Sequence, residues 1–277
     1  MPLEAKRARL RDVLGSLDSA LVAFSGGVDS SFLLHEAAAT LGPRCIALTT
    51  ASPTTPAGDL DDAIRLARAL DVIHVVHDTD ELAIPGYAEN PVNRCYFCKD
   101  NLFVICAAEA RARGIGTILD GANVDDLGDH RPGLAAAAEQ GVRHPLIEAD
   151  FTKDDVRAAS RLVGLSTWDR PASPCLSSRF PYGTTISRDA LVRVAAAEEI
   201  VRKLGVRDLR VRHHDQLARI EVPADAIPLL LDPAVREHLT AELRRIGYLW
   251  VTLDLAGLRS GSLNDALATT KHERPEG

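Results

Sequence analysis

Ser25-Gly26-Gly27-Val28-Asp29-Ser30 follows an apolar run at residues 20–24 and opens a run of helical character at 31–40. A strand that passes through a glycine-rich turn into a helix N-terminus builds an anion site. Gly26 and Gly27 let backbone N–H groups close on a phosphate, and the helix end adds partial positive charge. Ser25 and Ser30 offer hydroxyl donors, and the Asp29 carboxylate suits Mg²⁺ or a substrate group. No Gly-Lys-Ser/Thr follows, so this is not a Walker-type loop. A bare Ser-Gly-Gly is common in turns without function; the full string in a strand–turn–helix setting is what carries weight.

Outward from this turn, strand patterns at 20–24, 44–50, 72–77 and 117–121 alternate with helical patterns at 30–40, 59–70 and roughly 96–113. Gly42-Pro43 and Gly114 mark helix ends. Such alternation predicts right-handed βαβ units, hence an α/β fold with a parallel sheet and helices on both faces. Ligands of such sheets sit beyond the carboxyl ends of the strands. The turn, Thr49-Thr50-Ala51-Ser52 and the acidic loop from Asp120 to Asp126 are therefore expected to converge there. A charged leading helix is expected at 3–17, and another at 152–164 with Thr152 and Asp155 in capping-box spacing. Residues 165–187 carry three prolines and many hydroxyls without periodicity, which reads as a boundary loop. Beyond it, helices at 188–204 and 233–246 and strands at 208–214, 217–222 and 248–254 form a smaller α+β unit. The expected organisation is a nucleotide domain over 1–166, a linker over 167–187 and a second domain over 188–277, with a polar, frayed tail from Lys271 and no internal repeats.

At 277 residues, two domains are a reasonable expectation. Hydrophobic residues make up 46% and aromatics only 4%, so the core must be mainly aliphatic. A net charge of −7 argues against a broad nucleic-acid footprint but leaves room for a local basic pocket. No apolar window is long enough for a membrane span, and residues 1–12 lack a signal-like apolar stretch, so a soluble cytoplasmic protein is expected. In such a compartment five cysteines point to metal binding or catalysis rather than a disulfide framework.

Three constellations carry candidate chemistry. Thr49, Ser52 and the 120–126 loop, with Asn123, could hold adenine, ribose and metal. The paired carboxylates Asp125 and Asp126 suit Mg²⁺ accompanying pyrophosphate, while a solvated acidic turn is the plainer explanation. Cys95 and Cys98 form a C-x-x-C at the expected start of a helix beside Arg94 and Lys99, and Cys175 lies in the boundary loop. Three thiolates are the ligand count for a [4Fe–4S] cluster with one open iron. Zinc, with His130 or His144 as a fourth ligand, and a redox pair remain open. Cys45 and Cys106 sit in apolar runs and read as core. In the second unit, strand alternation places Arg210, Arg212 and His214 on one face, with Arg219 and Glu221 on the next strand. Two arginines on one face suit phosphate, and pairing with Glu221 is the structural alternative. Arg259, Ser260, Gly261 and Ser262 offer a second phosphate-sized anion site or an ordinary polar turn. Glu198 and Glu199 read as solvated carboxylates on their helix.

Taken in order, the strings SGGVDSS, NRCYFCK, DGANVDD, SPCLSSRFPYG and GLRSGSLN resemble the LarE family of ATP-dependent sulfur transferases in nickel-pincer nucleotide biosynthesis, over about residues 8 to 265. The resemblance implies a PP-loop domain, use of ATP and Mg²⁺, a homohexamer and a mononucleotide substrate. The substrate is pyridinium-3,5-biscarboxylic acid mononucleotide, whose carboxylates are adenylated and converted to thiocarboxylates. Members with only the loop cysteine give up its sulfur and keep dehydroalanine. With Cys95 and Cys98 beside Cys175, this chain is similar to the three-cysteine branch, where a [4Fe–4S] cluster carries the sulfur. A mononucleotide substrate needs an anion clamp, expected from Arg210, Arg212 and Arg259 with Ser260 and Ser262, and from Arg179 near the reacting end. The sulfur donor is not readable from the sequence. A tRNA thiolase should carry basic extensions or a zinc ribbon, an amidating PP-loop enzyme needs no reactive thiols, and a sensor would bind ATP without turnover.

Overall fold

The computed structural model describes residues 1–56, 58–128, 132–259 and 261–264. They divide between two compact units: Met1–Tyr87 with Val92–Ser173, and Ala88–Pro91 with Pro174–Gly277.

In chain order the first unit runs α1 (Leu3–Gly15), β1 (Ala20–Ala23), α2 (Val28–Leu41), β2 (Cys45–Ala51), α3 (Asp59–Ala69), β3 (Ile73–Asp78), α4 (Arg94–Arg113), β4 (Thr117–Leu119), α5 (Pro132–Glu139), α6 (Pro145–Glu148) and α7 (Lys153–Leu162). The four strands form one parallel sheet in the order β3-β2-β1-β4. All four residues of β1 are buried, as a central parallel strand requires. Alternation assigns Ala20 and Val22 to a core with Leu10, Phe32, Leu33 and Phe151. Leu21 and Ala23 enter a second core with Phe103, Cys106 and Ala136. The α/β expectation is met, with an aliphatic core on each face of the sheet.

The second unit runs α8 (Arg188–Arg202), β5 (Arg210–His214), β6 (Leu217–Glu221), α9 (Ile227–Leu231), α10 (Pro233–Arg245) and β7 (Trp250–Leu253). Its sheet has the order β5-β6-β7, antiparallel at the first pairing and parallel at the second. Val211, Ala218 and Ile220 pack with Ala197 and Val201 of α8 and Leu239 and Leu243 of α10.

The structure departs from the sequence expectation at several ends. The helix expected from Ser30 begins at Val28 because Gly27, extended at φ −73° and ψ 164°, is its N-cap. β4 stops at Leu119, where the chain turns to let Asp120 N–H bond the Arg143 carbonyl at 3.1 Å. Helices α5, α6 and α9 were not anticipated. Each carries proline in its first turn, which reads as a breaker in sequence but is tolerated at a helix start. The capping box is present at α7: Thr152 accepts from the Asp155 N–H, and the Asp155 carboxylate accepts from the Thr152 N–H.

One ion cluster ties the leading helix to the sheet. Glu36 of α2 is fully buried and receives Arg7 at 2.7 Å and Arg11 at 2.9 Å from α1. Burial alone would push its carboxyl up, but His35 and the two guanidinium groups outweigh that and hold it at about 2. A depressed folded pKa gives stability that is complete above the unfolded value and lost as pH falls through the folded one. The acid limb of unfolding between about pH 4.5 and 2 should therefore carry roughly 3 kcal/mol from Glu36. Chemical denaturation of Glu36→Gln should give a lower stability at pH 7 and a flatter loss across that window; parallel curves for the two proteins would refute the assignment.

Candidate functional site

The sheet order places β1 between β2 and β4, so the loops leaving β1 and β4 open the crevice where the strand order reverses. The turn from Ser25 to Ser30 and the loop from Asp120 to Asp126 meet there. A Cβ on Gly121 would stand 2.8 Å from the Ser30 nitrogen and 3.1 Å from the Asp29 carbonyl carbon. Only glycine permits this approach of one backbone to the other. Gly26 sits at φ +72°, and a Cβ there would also press on Ala63 of α3 at 3.2 Å.

Within the turn, the Ser25 and Ser30 hydroxyls meet at 3.1 Å, and the Gly27 N–H donates to Ser25 Oγ at 3.3 Å. Two hydroxyls and a glycine amide at a helix N-terminus form the donor set expected of a phosphate cradle. Asp29 pairs with the Lys153 ammonium and accepts from Asn123 Nδ2 at 3.2 Å. Lys153 is the first residue of α7, and its N–H donates to Asp125 at 2.8 Å. Asp126 accepts from the Asn123 N–H at 3.0 Å. The paired carboxylates thus fold their own loop and tie it to α7. Thr49 is buried, donating to the Phe24 carbonyl at 2.6 Å and bonding His74 Nε2 at 2.7 Å, so it braces the ends of β1 and β2. Ser52 lies in a hydroxyl cluster with Thr54 at 2.9 Å and Thr55 at 3.4 Å.

Several groups here had no sequence motif to mark them. Arg170 donates to the Gly26 carbonyl at 3.0 Å and pairs with Asp59 and Asp62. At the end of β4, buried Asp120 bonds His144 Nδ1 at 2.6 Å and lies 3.5 Å from the Lys99 ammonium. Burial opposes ionisation of Asp120, but His144 and Lys99 hold its carboxyl at about 2. His144, a conceivable zinc ligand in the sequence, thus serves Asp120; His130 lies outside the described residues.

Cys95 is exposed and Cys98 half-buried on the first turn of α4, three residues apart and so on one helix face. Cys175 is half-buried and directly precedes a short 3₁₀ turn, Leu176–Arg179. Cys45 and Cys106 are buried, and burial pushes both thiols up to about 12, which keeps them protonated and inert as core residues.

In the second unit Arg179 is 2% exposed and forked against Glu198 at 2.7 and 2.9 Å. Its remaining N–H bonds reach the carbonyls of Pro174 at 2.7 Å and Cys175 at 3.2 Å and the Ser178 hydroxyl at 3.0 Å, so it fixes the backbone that carries Cys175. Glu198 is not the solvated carboxylate its helix pattern suggests; it is buried and also accepts the Val211 N–H at 3.1 Å. Arg212 pairs with Glu221 at 2.7 Å and donates to Ser262 at 3.0 Å, and Arg219 reaches the same carboxylate at 3.1 Å. Arg210 is half-buried near Asp208 at 3.6 Å. Burial lowers its guanidinium to about 10, with the positive charges of Arg179 and Arg212 acting in the same direction. Arg259 is exposed, and Ser260 lies outside the described residues.

A parallel α/β sheet with SGGVDS at its topological switch point is the architecture of a PP-loop protein. The sequence matches no family model. It is 38% identical over 266 residues to the pyridinium-3,5-bisthiocarboxylic acid mononucleotide synthase of Lactiplantibacillus plantarum, covering 96% of both chains. It is 45% identical to an uncharacterised protein of Synechocystis, over 96% of this chain and 99% of the other, and 29% identical to one of Methanocaldococcus jannaschii, over 87% and 90%. The chain belongs to the LarE family.

The junction at Gly121 is directly testable. Gly121→Ala should lower the unfolding free energy by about 1–3 kcal/mol through overpacking against the Ser30 backbone. An unchanged melting temperature would show that the two loops can separate at no cost.

Proposed function

We propose that this chain is an ATP-dependent sulfur transferase that adenylates the carboxylates of pyridinium-3,5-biscarboxylic acid mononucleotide and converts them to thiocarboxylates. The observation that carries the reading is the backbone-to-backbone junction of the glycine turn with the Asp120–Asp126 loop in a member of this family.

The chemistry follows from the weakness of a carboxylate as an electrophile. A substrate carboxylate oxygen attacks the α-phosphorus of ATP, and the bond to pyrophosphate breaks. A sulfur nucleophile then attacks the acyl carbon and AMP leaves. Sulfide would give the thiocarboxylate directly, whereas a cysteine thiolate would give a thioester whose Cβ–S bond must break with loss of the Cα proton, releasing the thiocarboxylate and leaving dehydroalanine. Ser25, Gly27 and Ser30 would hold the phosphates by hydrogen bonds that strengthen as charge moves onto pyrophosphate. Asp29 fits Mg²⁺ as an oxygen donor beside the phosphates, with Asn123 and Lys153 as its present partners. Bound Mg²⁺ would neutralise charge on the departing pyrophosphate.

Soft thiolates at Cys95, Cys98 and Cys175 fit the donor chemistry of a [4Fe–4S] cluster. Such a cluster would supply transferable sulfur, so that Cys175 need not be consumed. Among the described residues, no three His, Cys, Asp or Glu side chains gather as a metal site. The three-thiolate set therefore rests on the sequence pattern and family membership. The same membership supports a homohexamer acting in the cytoplasm. Arg210 and Arg259 would receive the substrate phosphate, while Arg212 and Arg179 hold the surrounding carboxylates and the Cys175 turn.

Pyrophosphate and AMP should appear only when a carboxylate substrate accompanies ATP; equal release without it would reject acyl activation. Arg210→Ala should raise the KM for the mononucleotide about tenfold or more, the worth of a charged hydrogen bond, with little change in the KM for ATP. Equal effects on both would remove Arg210 from the clamp. Anaerobic protein should carry four iron atoms per chain and keep its mass after turnover, and Cys95→Ser should abolish the iron. Loss of about 34 Da, the H₂S given up as a thiol becomes dehydroalanine, would instead show Cys175 to be consumed.

A further inference from the structure

Arg170 belongs to no motif in the sequence, yet its guanidinium touches the backbone of the glycine turn. We infer that Arg170 is a positioning residue: it fixes the plane of the Gly26–Gly27 peptide and, through it, the direction in which the Gly27 N–H points. The inference rests on the nucleotide-binding reading above.

In a trans peptide the carbonyl and the N–H point opposite ways. The Gly26 carbonyl accepts from Arg170 Nη1 at 3.0 Å. On the other side the Gly27 N–H reaches Ser25 Oγ at 3.3 Å, where the Ser25 and Ser30 hydroxyls meet. Arg170 therefore selects the orientation in which all three donors share one side of the turn. Turned over, this peptide would aim a carbonyl oxygen at the same spot and repel an anion. Local backbone chemistry does not prevent that reversal, because glycine flanks the bond on both sides and no Cβ obstructs it. The weak local bond from the Gly27 N–H to Ser25 Oγ favours one orientation, and the charged tertiary contact from Arg170 holds the same peptide at its carbonyl.

Arg170 is built to provide that contact. Its Nη2 lies 2.8 Å from Asp59 and 2.9 Å from Asp62, both in the first turn of α3, and its side chain is 18% exposed. The Ser173 hydroxyl donates to the other oxygen of Asp59 at 2.8 Å. Two carboxylates hold the guanidinium and leave a charge-assisted donor for the carbonyl. With Arg65 also on Asp62, the carboxylates match the local positive charge, so Arg170 is poorly suited to attract a triphosphate by itself. Its effect is directional.

The test compares wild type, Arg170→Ala and Arg170→Lys by calorimetric binding of ATP and of adenosine, with amide hydrogen exchange at Gly27 in the nucleotide-free protein. Arg170→Ala should weaken ATP about tenfold or more while adenosine changes less than about twofold, since a charged hydrogen bond to the turn is lost and the base site is untouched. Gly27 exchange should rise by a similar factor, and lysine should recover part of both. Unchanged ATP affinity overturns the inference. So does weaker ATP binding with unchanged Gly27 exchange, which would mean that Arg170 contacts the phosphates directly. If the alanine variant unfolds, the lysine variant is read by the same criteria, with an ATP loss of about threefold expected. If wild type binds neither ligand, the nucleotide reading fails, while the exchange comparison still decides whether Arg170 orients the peptide.

Discussion

The contact on which the first unit depends is between two stretches of main chain. Gly121 lies so close to the Ser30 nitrogen that a single methyl group would not fit. This packing brings the acidic loop after β4 against the helix N-terminus that follows β1, and it joins two turns distant in sequence at one edge of the sheet. The donors at that surface are backbone N–H and serine hydroxyl groups held by short-range geometry, and they need little rearrangement to meet an anion. The neighbouring carboxylates are engaged in loop folding, which keeps their negative charge from filling the cradle: Asp125 and Asp126 through backbone N–H groups, Asp29 through Lys153 and Asn123.

Charge pairing by buried groups recurs in both units and differs in its consequence. The Glu36 cluster joins α1 to α2 away from the crevice and serves stability. The Arg179–Glu198 fork is equally buried, but its spare donors grip the carbonyls of Pro174 and Cys175. A cysteine on a proline-rich segment would otherwise sample many positions. Fixing its backbone from a buried guanidinium limits that freedom without placing a charge beside the sulfur in open solvent. Arg212 and Arg219 share Glu221 in the adjoining hairpin, so the buried arginines of the second unit are matched by buried carboxylates.

Membership of the LarE family places this chain among proteins related to the synthase of a thiocarboxylate-bearing mononucleotide. Cys95 and Cys98 stand near the start of a helix, accessible to solvent, whereas Cys45 and Cys106 are buried in the core.

The order of apolar runs and glycine turns was enough to read the parallel sheet, the helix starts near Asp59 and Lys153, and the strand–turn–helix setting of the glycine turn, because strand and helix periods and glycine requirements are local properties. The capping box at Thr152 was legible for the same reason. What the sequence could not reveal were the partners: Lys153 for Asp29, His144 for Asp120, Glu198 for Arg179 and Arg170 for the Gly26 carbonyl are separated by 19 to 144 residues. An isolated arginine or glutamate has no period and no motif, and its role is set by what packing brings within 3 Å. The local chain therefore determined where the glycine turn and its helix form, and the tertiary structure decided which distant side chains meet them, because packing rather than periodicity sets those partners.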